Sequence, residues 1–154
     1  MRALLLSVLL LAGILYYMKT NLRAPERRTG VAVWNEPAQG AVAGIRTWNR
    51  ADHVLTSLAT YRIRGLVLGA ERYWFDRGAK LAPVDLAIGW GRMSDRAILD
   101  RMAMSQGSRF YRYSYRHPFP LTQYEIYSQS ANMHMIPASA AVERRLKSVS
   151  AGDE

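Results

Sequence analysis

The sequence predicts an α+β domain made mainly of extended segments with two or three short helices, preceded by a single transmembrane helix. Three observations lead to this prediction. An uncharged apolar run opens the chain, stretches that alternate every second residue begin near Thr60, and short amphipathic stretches follow capping residues in the second half. With 154 residues, 49% of them hydrophobic and 21% charged, the chain is long enough for one domain and too apolar for a disordered one.

The apolar run covers residues 3–18. As a helix it extends roughly 24 Å, slightly less than the ~30 Å hydrocarbon core of a bilayer, and interfacial tyrosines with a snorkelling lysine supply the difference. A cleaved signal peptide is the alternative, but no small-x-small cleavage site follows the run. We therefore predict that residues 1–18 are a membrane anchor in a bacterial inner membrane, with Arg2, Tyr16, Tyr17, Lys19 and Arg23 as its flanking residues.

Two features of the sequence indicate opposite sides of the membrane for the domain. A short anchor with little before it favours a cytoplasmic N-terminus and a periplasmic domain, whereas the basic residues that follow Lys19 favour the opposite orientation. We predict a periplasmic, envelope-associated domain and leave the other orientation open. Residues 19–50 carry scattered Pro and Gly and no sustained period, which indicates a basic, flexible tether, so that the globular domain covers residues 51–154.

Two stretches of the domain alternate clearly enough to predict strands. Residues 60–68 place Tyr61, Ile63 and Val67 on one face, with Gly65 as a possible bulge. Residues 84–90 alternate large apolar side chains with small ones, apart from Asp85. Small side chains on one face of a strand favour the close approach of another backbone.

The second half of the domain predicts a further strand and three helices. Residues 109–116 alternate tyrosines with polar residues and predict a strand, and residues 131–136 form a short apolar segment. Ser94 or Asp95 caps a helix that continues to Met102, Thr122 caps a helical turn, and Ser139 begins a final helix that Gly152 ends.

Several kinds of chemistry are excluded or unsupported. The absence of cysteine rules out disulfides, thiolate-bound metals and cysteine nucleophiles. His53, His117 and His134 lack the spacing of a local metal site, and no phosphate-binding GxxxxGK loop or GxSxG nucleophile motif occurs. We therefore predict no metal and no cofactor, and we favour a protein without catalytic activity.

The residues 109–116 also allow a polyanion hypothesis, since the chain has a net charge of +9. Bases could stack on Tyr111, Tyr113 and Tyr115 while Arg112 and Arg116 contact phosphates. The pleat of a strand puts these tyrosines and arginines on opposite faces, however, which is also the pattern of an ordinary sheet with one buried face. Nucleic acid is accordingly the less favoured partner.

Three blocks of sequence resemble an uncharacterised family of small bacterial proteins with an N-terminal membrane segment. They are ERY and FDR at residues 71–73 and 75–77, LAPVDLAIGWGRMSD at 81–95, and SANMHMIP at 130–137. The resemblance covers roughly residues 61–153 and implies no activity. Members of that family typically continue past the position of Gly152 with a further β-rich stretch, so the resemblance implies that this chain lacks those strands and has an open sheet edge or an uncovered apolar face.

The central and last blocks supply the candidate site residues. Trp90, Arg92 and Asp95 surround a glycine-flanked turn before a helix, where free backbone N–H groups could hold an anion. Asn132 and His134 could converge on that turn, and in the structural alternative these residues only cap, pair and bond to carbonyls. The candidate residues are Asp85, Trp90, Arg92, Asp95, Asn132 and His134.

From these observations we predict a non-catalytic, membrane-anchored binding domain with a protein partner in the envelope. One alternative is an anion-binding enzyme or hydrolase that uses Asp95 and His134. The other is a polyanion-binding or nucleic-acid-binding protein that uses Tyr111 to Arg116.

Overall fold

The computed structural model describes residues 30–154. The predicted anchor at residues 3–18 and its flanking residues lie outside the described residues, and so does the first part of the predicted tether. No helix within residues 30–154 has the length and apolar character needed to cross a membrane.

The described chain is built from nine strands and four short α-helices. The strands are β1 (Ala38–Gly40), β2 (Thr47–Arg50), β3 (His53–Thr56), β4 (Thr60–Arg62), β5 (Leu66–Arg72), β6 (Val84–Gly89), β7 (Met102–Gly107), β8 (Phe110–Tyr115) and β9 (Ser130–Met135). The helices are α1 (Arg77–Leu81), α2 (Arg96–Leu99), α3 (Gln123–Ser128) and α4 (Ala140–Ser148), and a 3-10 helix covers Gly91–Ser94.

The centre of the domain is an antiparallel sheet in the order β5-β6-β9. The middle strand, β6, is buried along its whole length. One face of this sheet carries Val67, Val84, Leu86 and Ile88, which form a core with Leu146 of α4 and other side chains. Large apolar side chains at every second position of β6 therefore face the helix, as a strand with period-two alternation requires.

The opposite face of the sheet has small and polar side chains and contacts the hairpin formed by β7 and β8. A β-carbon on Gly69 would overlap the side-chain oxygen of Gln106, which shows how closely the hairpin approaches β5. Gln106 donates to Asn132 Oδ1 at 2.8 Å. The sequence predicted that the small residues of 84–90 let another backbone approach closely. This is confirmed at Gly89, where an added β-carbon would overlap the carbonyl oxygen of Met93 in the 3-10 helix.

A second core lies beside the 3-10 helix. It is formed by Met93, Ile98, Leu121 and Ile126, with Tyr113 of β8 packed against it among other side chains. The remaining strands make two small antiparallel pairs, β1 with β4 and β2 with β3. Residues 152 and 153 lie along β5, where the Gly152 N–H donates to the Val67 carbonyl at 2.8 Å and the Val67 N–H to the Asp153 carbonyl at 2.8 Å.

The predicted α+β class is wrong, because the protein is a small, mainly β domain with few helices. The α-helices have only four to nine residues each, whereas nine strands run through the described chain. Cap signals in the sequence mark where helices begin, but the length of a helix depends on the packing that follows it.

Some predicted elements have different bounds in the structure. The single strand predicted for residues 60–68 is two strands, β4 and β5, because the chain breaks its pairing between Arg62 and Leu66. The helix predicted to run to Met102 ends at Leu99, since Met102 begins β7 and pairs with Tyr115. The last helix ends at Ser148, before the predicted stop at Gly152.

Other predictions for this part of the chain are confirmed. The strand in residues 109–116 is β8, whose tyrosines are half-buried while the alternate residues are exposed. Thr122 caps α3 with a full capping box to Glu125, and Ser139 caps α4 by accepting from the Val142 N–H at 3.3 Å. Asp95 caps α2.

Residues 30–50, which the sequence indicates as part of a flexible tether, contain strands β1 and β2. Val33 is buried, and its N–H donates to Ser94 Oγ at 3.0 Å. The Ser94 hydroxyl donates in turn to the Gly91 carbonyl at 2.7 Å. The segment around Val33 therefore packs on the 3-10 helix.

Candidate functional site

The centre of the candidate site is Asp85, whose side chain is completely buried in the middle strand of the central sheet. Its carboxylate accepts from Tyr73 Oη at 3.2 Å and from Arg109 Nη1 at 3.3 Å. His134 Nδ1 lies 2.8 Å from the same carboxylate. A buried charge needs this kind of pairing, because removing it from water without partners is very costly.

The register of the sheet explains why Asp85 meets His134. Strands β6 and β9 are antiparallel neighbours, and Asp85 lies directly opposite His134 in the register. Directly opposite residues of an antiparallel pair project from the same face. Asn132 lies two residues away from His134 along β9, opposite Ala87, and projects from that face as well.

Arg109 reaches this site from the turn of the β7–β8 hairpin. Gly107 pairs with Phe110, so the loop contains two residues, Ser108 and Arg109. Both have positive φ angles, 52° and 69°. Residues other than glycine rarely adopt this conformation, which costs on the order of 1–3 kcal/mol per residue unless the surroundings hold it.

Contacts along the whole of Arg109 hold this turn. The Arg109 N–H donates to Tyr73 Oη at 3.0 Å, and the guanidinium lies 3.6 Å from the centre of the Tyr73 ring. Nη1 also donates to the Ala82 carbonyl at 2.6 Å, and Nη2 donates to Asp76 at 3.2 Å. Asn132 Nδ2 donates to the Arg109 carbonyl at 3.2 Å. The site therefore fixes both the backbone and the side chain of Arg109.

Tyr73 bridges the two charged groups. Its hydroxyl donates to Asp85 and accepts from the Arg109 backbone. Burial raises the pKa of Tyr73, and the negative charge of Asp85 raises it further, although the hydrogen bond from Arg109 acts in the opposite direction. Tyr73 is therefore a neutral hydrogen-bond donor near neutral pH.

His134 is the member of the site that meets solvent, since about half of its side chain is exposed. A carboxylate can only accept hydrogen bonds, so Nδ1 carries the proton in the contact with Asp85. Nε2 is then the ring nitrogen left for a ligand, and it accepts a hydrogen bond when the ring is neutral. A carboxylate that fixes the tautomer and orientation of a histidine is a recurring device at binding and catalytic sites.

His134 opens into a groove of about 310 Å³. We call it the His134 groove, and its walls are mainly aromatic. Phe110 and Tyr127 are 62% and 60% exposed at its rim. The lining residues are Arg109, Phe110, Tyr111, Tyr113, Tyr127, Ser130, Ala131, Asn132 and His134.

Tyr111 forms part of the floor of the groove. Its hydroxyl lies 3.5 Å from the sulfur of Met104. Burial raises the pKa of Tyr111 to about 12. The ring also lies 5.9 Å from that of Tyr113, and Tyr113 packs on the second core. The tyrosines of β8 therefore turn toward the interior, whereas the polyanion hypothesis requires them on an exposed stacking face.

The structure divides the candidate residues into two groups. Asp85, Asn132 and His134 lie together, as described. Trp90, Arg92 and Asp95 follow the opposite end of β6, which is about 13 Å from Asp85 at ~3.3 Å per residue. The predicted convergence of Asn132 and His134 on the turn after Trp90 is therefore wrong, since His134 contacts Asp85 and Asn132 donates to the Arg109 carbonyl.

Each residue of the second group has a structural partner. Trp90 is buried, and its N–H donates to the Gln129 carbonyl at 2.9 Å. Arg92 donates to the Pro120 carbonyl at 3.1 Å and lies 3.5 Å from Glu125. The Asp95 carboxylate accepts from the Ala97 N–H at 2.9 Å. The hydrolase hypothesis requires Asp95 beside His134, and the structure does not place it there.

Sequence reasoning did not single out Arg109, Tyr73 or Gln106 as site residues. Two signals pointed toward them. Asp85 interrupts an otherwise apolar strand, which indicates a buried charge in need of a cationic partner. Tyr73 also lies in the first motif block, at residues 71–73, from which no candidate site residue was taken. Within residues 30–154, no three of the His, Asp and Glu side chains are grouped so that they could hold a metal ion.

The fold and the site together define a small, mainly β domain with a buried carboxylate beneath an aromatic groove. Comparisons of this chain with protein-family models, with curated proteins and with solved structures found no match. The function is therefore inferred from the geometry of the site.

Proposed function

We propose that this protein is a non-catalytic binding domain and that the His134 groove is its ligand site. The observation that carries this proposal is the complete burial of Asp85 beneath the groove, in contact with both His134 and Arg109. Apolar residues of similar size often stabilise a fold as well as a buried ion pair or better. An elaborate buried charge cluster therefore suits a role in positioning side chains for a ligand.

The chemistry of the groove favours a neutral ligand with an apolar ring face and hydroxyl groups, which is the chemistry of a carbohydrate. Phe110 and Tyr127 offer exposed aromatic surface at the rim, and His134 offers a hydrogen-bonding nitrogen. The charge of Arg109 is already paired with Asp85 and Asp76, so little of it remains to select an anion. A volume of about 310 Å³ is near the low end of the roughly 300–1,000 Å³ typical of small-molecule sites.

The same geometry argues against a covalent catalytic mechanism in the groove. Ser130 is the only serine or threonine among the residues that line it, and its hydroxyl donates to the Ile126 carbonyl at 2.8 Å. A serine nucleophile needs a base within hydrogen-bond reach of its hydroxyl. The periplasmic location and the protein partner predicted from the sequence stay predictions.

Titration of the full-length chain with soluble oligosaccharides tests the proposal. The probes are a trisaccharide of N-acetylglucosamine and maltotriose, added to millimolar concentration and followed by two-dimensional NMR of the backbone amides and the His134 ring. We expect saturable shifts at His134, Asn132 and Phe110. Tyr127→Ala should weaken binding at least fivefold, because it removes an exposed rim aromatic whose truncation costs about 1 kcal/mol or more.

Tyr61→Ala is the matched control. Tyr61 lies on β4, is 51% exposed, and does not line the groove. Its replacement should leave the affinity unchanged. The proposal is overturned if neither probe shifts any signal, or if the shifts are confined to residues outside the groove. Cleavage of either trisaccharide also overturns it, because the protein would then be an enzyme.

A further inference from the structure

A second surface feature lies in the loop between β5 and α1, apart from the His134 groove. Trp74 and Phe75 follow each other there and project from the domain, with exposed fractions of 63% and 100%. Neither side chain belongs to the two buried cores of the described chain. We call these two residues the aromatic finger.

Basic side chains surround the aromatic finger. Arg77 and Lys80 of α1 are exposed, and neither makes a salt bridge with another described residue. From α4, Lys147 Nζ lies 5.1 Å from the centre of the Trp74 ring. Two exposed cations therefore follow the finger within six residues, and a third contacts the Trp74 ring.

Two of the acidic groups near the finger, Asp76 and Glu143, are already paired. Asp76 caps α1 by accepting from the Ala79 N–H at 2.6 Å and also lies 3.2 Å from Arg109. Glu143 of α4 accepts from Lys147 at 2.6 Å and from Arg50 at 3.0 Å. These two carboxylates therefore do not neutralise Arg77 and Lys80.

We propose that the aromatic finger docks on a bilayer surface that contains anionic lipids. Tryptophan and phenylalanine favour the region between headgroups and acyl chains, and nearby basic residues favour anionic headgroups. A protein partner fits less well, because two aromatic side chains bury together about 400 Å², roughly half of the ~800 Å² per partner in a stable protein interface. The finger would hold the domain against the membrane, on a different part of the chain from the groove.

The absence of cysteine allows a direct test in the full-length chain. Phe75→Cys introduces a unique thiol for the environment-sensitive fluorophore NBD, and the labelled protein is reconstituted in vesicles of phosphatidylcholine with and without phosphatidylglycerol. In the vesicles with phosphatidylglycerol, we expect the NBD emission to shift to the blue and to be quenched by spin-labelled lipids. In the vesicles of phosphatidylcholine alone, we expect neither change. Replacing both Arg77 and Lys80 by Gln should lower the ratio of docked to free finger by roughly thirtyfold, since each basic residue near an anionic surface contributes about a factor of five.

Leu58→Cys with the same label is the matched control. Leu58 is 87% exposed and lies in the loop between β3 and β4, outside the aromatic finger. A label there reports how the fluorophore responds to a nearby vesicle when the finger itself does not carry it. A label at residue 75 that remains in water in both kinds of vesicle overturns the proposal. So does a blue shift of equal size at residues 58 and 75, or one that is independent of the anionic lipid.

Discussion

Replacement of Asp85 by alanine tests the central role of the buried carboxylate. Asp85 is the only fully buried charged side chain within residues 30–154. The substitution leaves three groups without their acceptor, namely the Tyr73 hydroxyl, one edge of the Arg109 guanidinium and His134 Nδ1. The β7–β8 turn should then lose part of what holds its two positive φ angles.

The size of the effect follows from these contacts. Removing one partner of a buried ion pair costs about 3–5 kcal/mol. The lower end applies here because His134 is half exposed and can bond to water, while Arg109 keeps the Ala82 carbonyl and Asp76. We therefore expect the free energy of unfolding to fall by about 3 kcal/mol, which corresponds to a melting temperature lower by roughly 10 °C for a domain of this size.

Urea and thermal unfolding of the full-length chain, followed by circular dichroism, measure this change. Asp100→Ala is the control, because Asp100 is an exposed aspartate for which a change within about 0.5 kcal/mol is expected. Asp85→Asn keeps the shape and one acceptor oxygen, so it should have an intermediate effect. If Asp85→Ala unfolds within about 1 kcal/mol of the wild type, the buried cluster is not holding the hairpin, and the positioning argument for His134 and Arg109 fails.

Further predictions concern close packing and titration. Gly89→Ala should destabilise the domain by about 1–3 kcal/mol or more, because a β-carbon there would overlap a backbone carbonyl of the 3-10 helix. Gly107→Ala is the control, since a β-carbon there meets open space and should change the free energy of unfolding by less than about 1 kcal/mol. Urea unfolding of the two variants compares these changes. The hydrogen bonds from Lys147 and then Arg50 lower the pKa of Glu143 below its usual 4.5, so its contribution to stability is complete above that value and is lost as the pH falls below it. Glu143→Gln should therefore flatten this acid loss in a pH series of melting temperatures, and an unchanged acid limb would contradict the assignment. Burial raises the pKa of Tyr111 from 10.0 to about 12, so stability that is complete below pH 10 should decline between the two values, and Tyr111→Phe should remove that part of the decline.

Local patterns in the sequence predicted the beginnings of three of the four α-helices within residues 30–154 and the face of one strand, but not the helix Arg77–Leu81. Ser139 and Thr122 cap their helices as expected, because a cap depends on a hydrogen bond to a backbone group three residues away. The alternation in residues 110–115 likewise identified β8 and its half-buried tyrosines. The ends of helices and the split between β4 and β5 were not predicted, since pairing with distant segments decides them.

The candidate site was predicted only in part. Asp85, Asn132 and His134 were singled out, but they were grouped with Asp95, which lies past the other end of β6. No local rule connects Asp85 with His134, because the register between β6 and β9 joins residues 49 positions apart.

The sequence by itself therefore determined where three of the α-helices begin, which face of β8 is buried, and that a carboxylate lies within an apolar strand. Those properties depend on neighbours within a few residues, and the side chains that decide them can be read directly. Only the tertiary structure decided that Asp85, Arg109, Tyr73 and His134 meet beneath one groove, and how the extended segments pair into sheets. The cost of burying a charge makes partners for Asp85 necessary, but strand register and the β7–β8 turn select which residues they are.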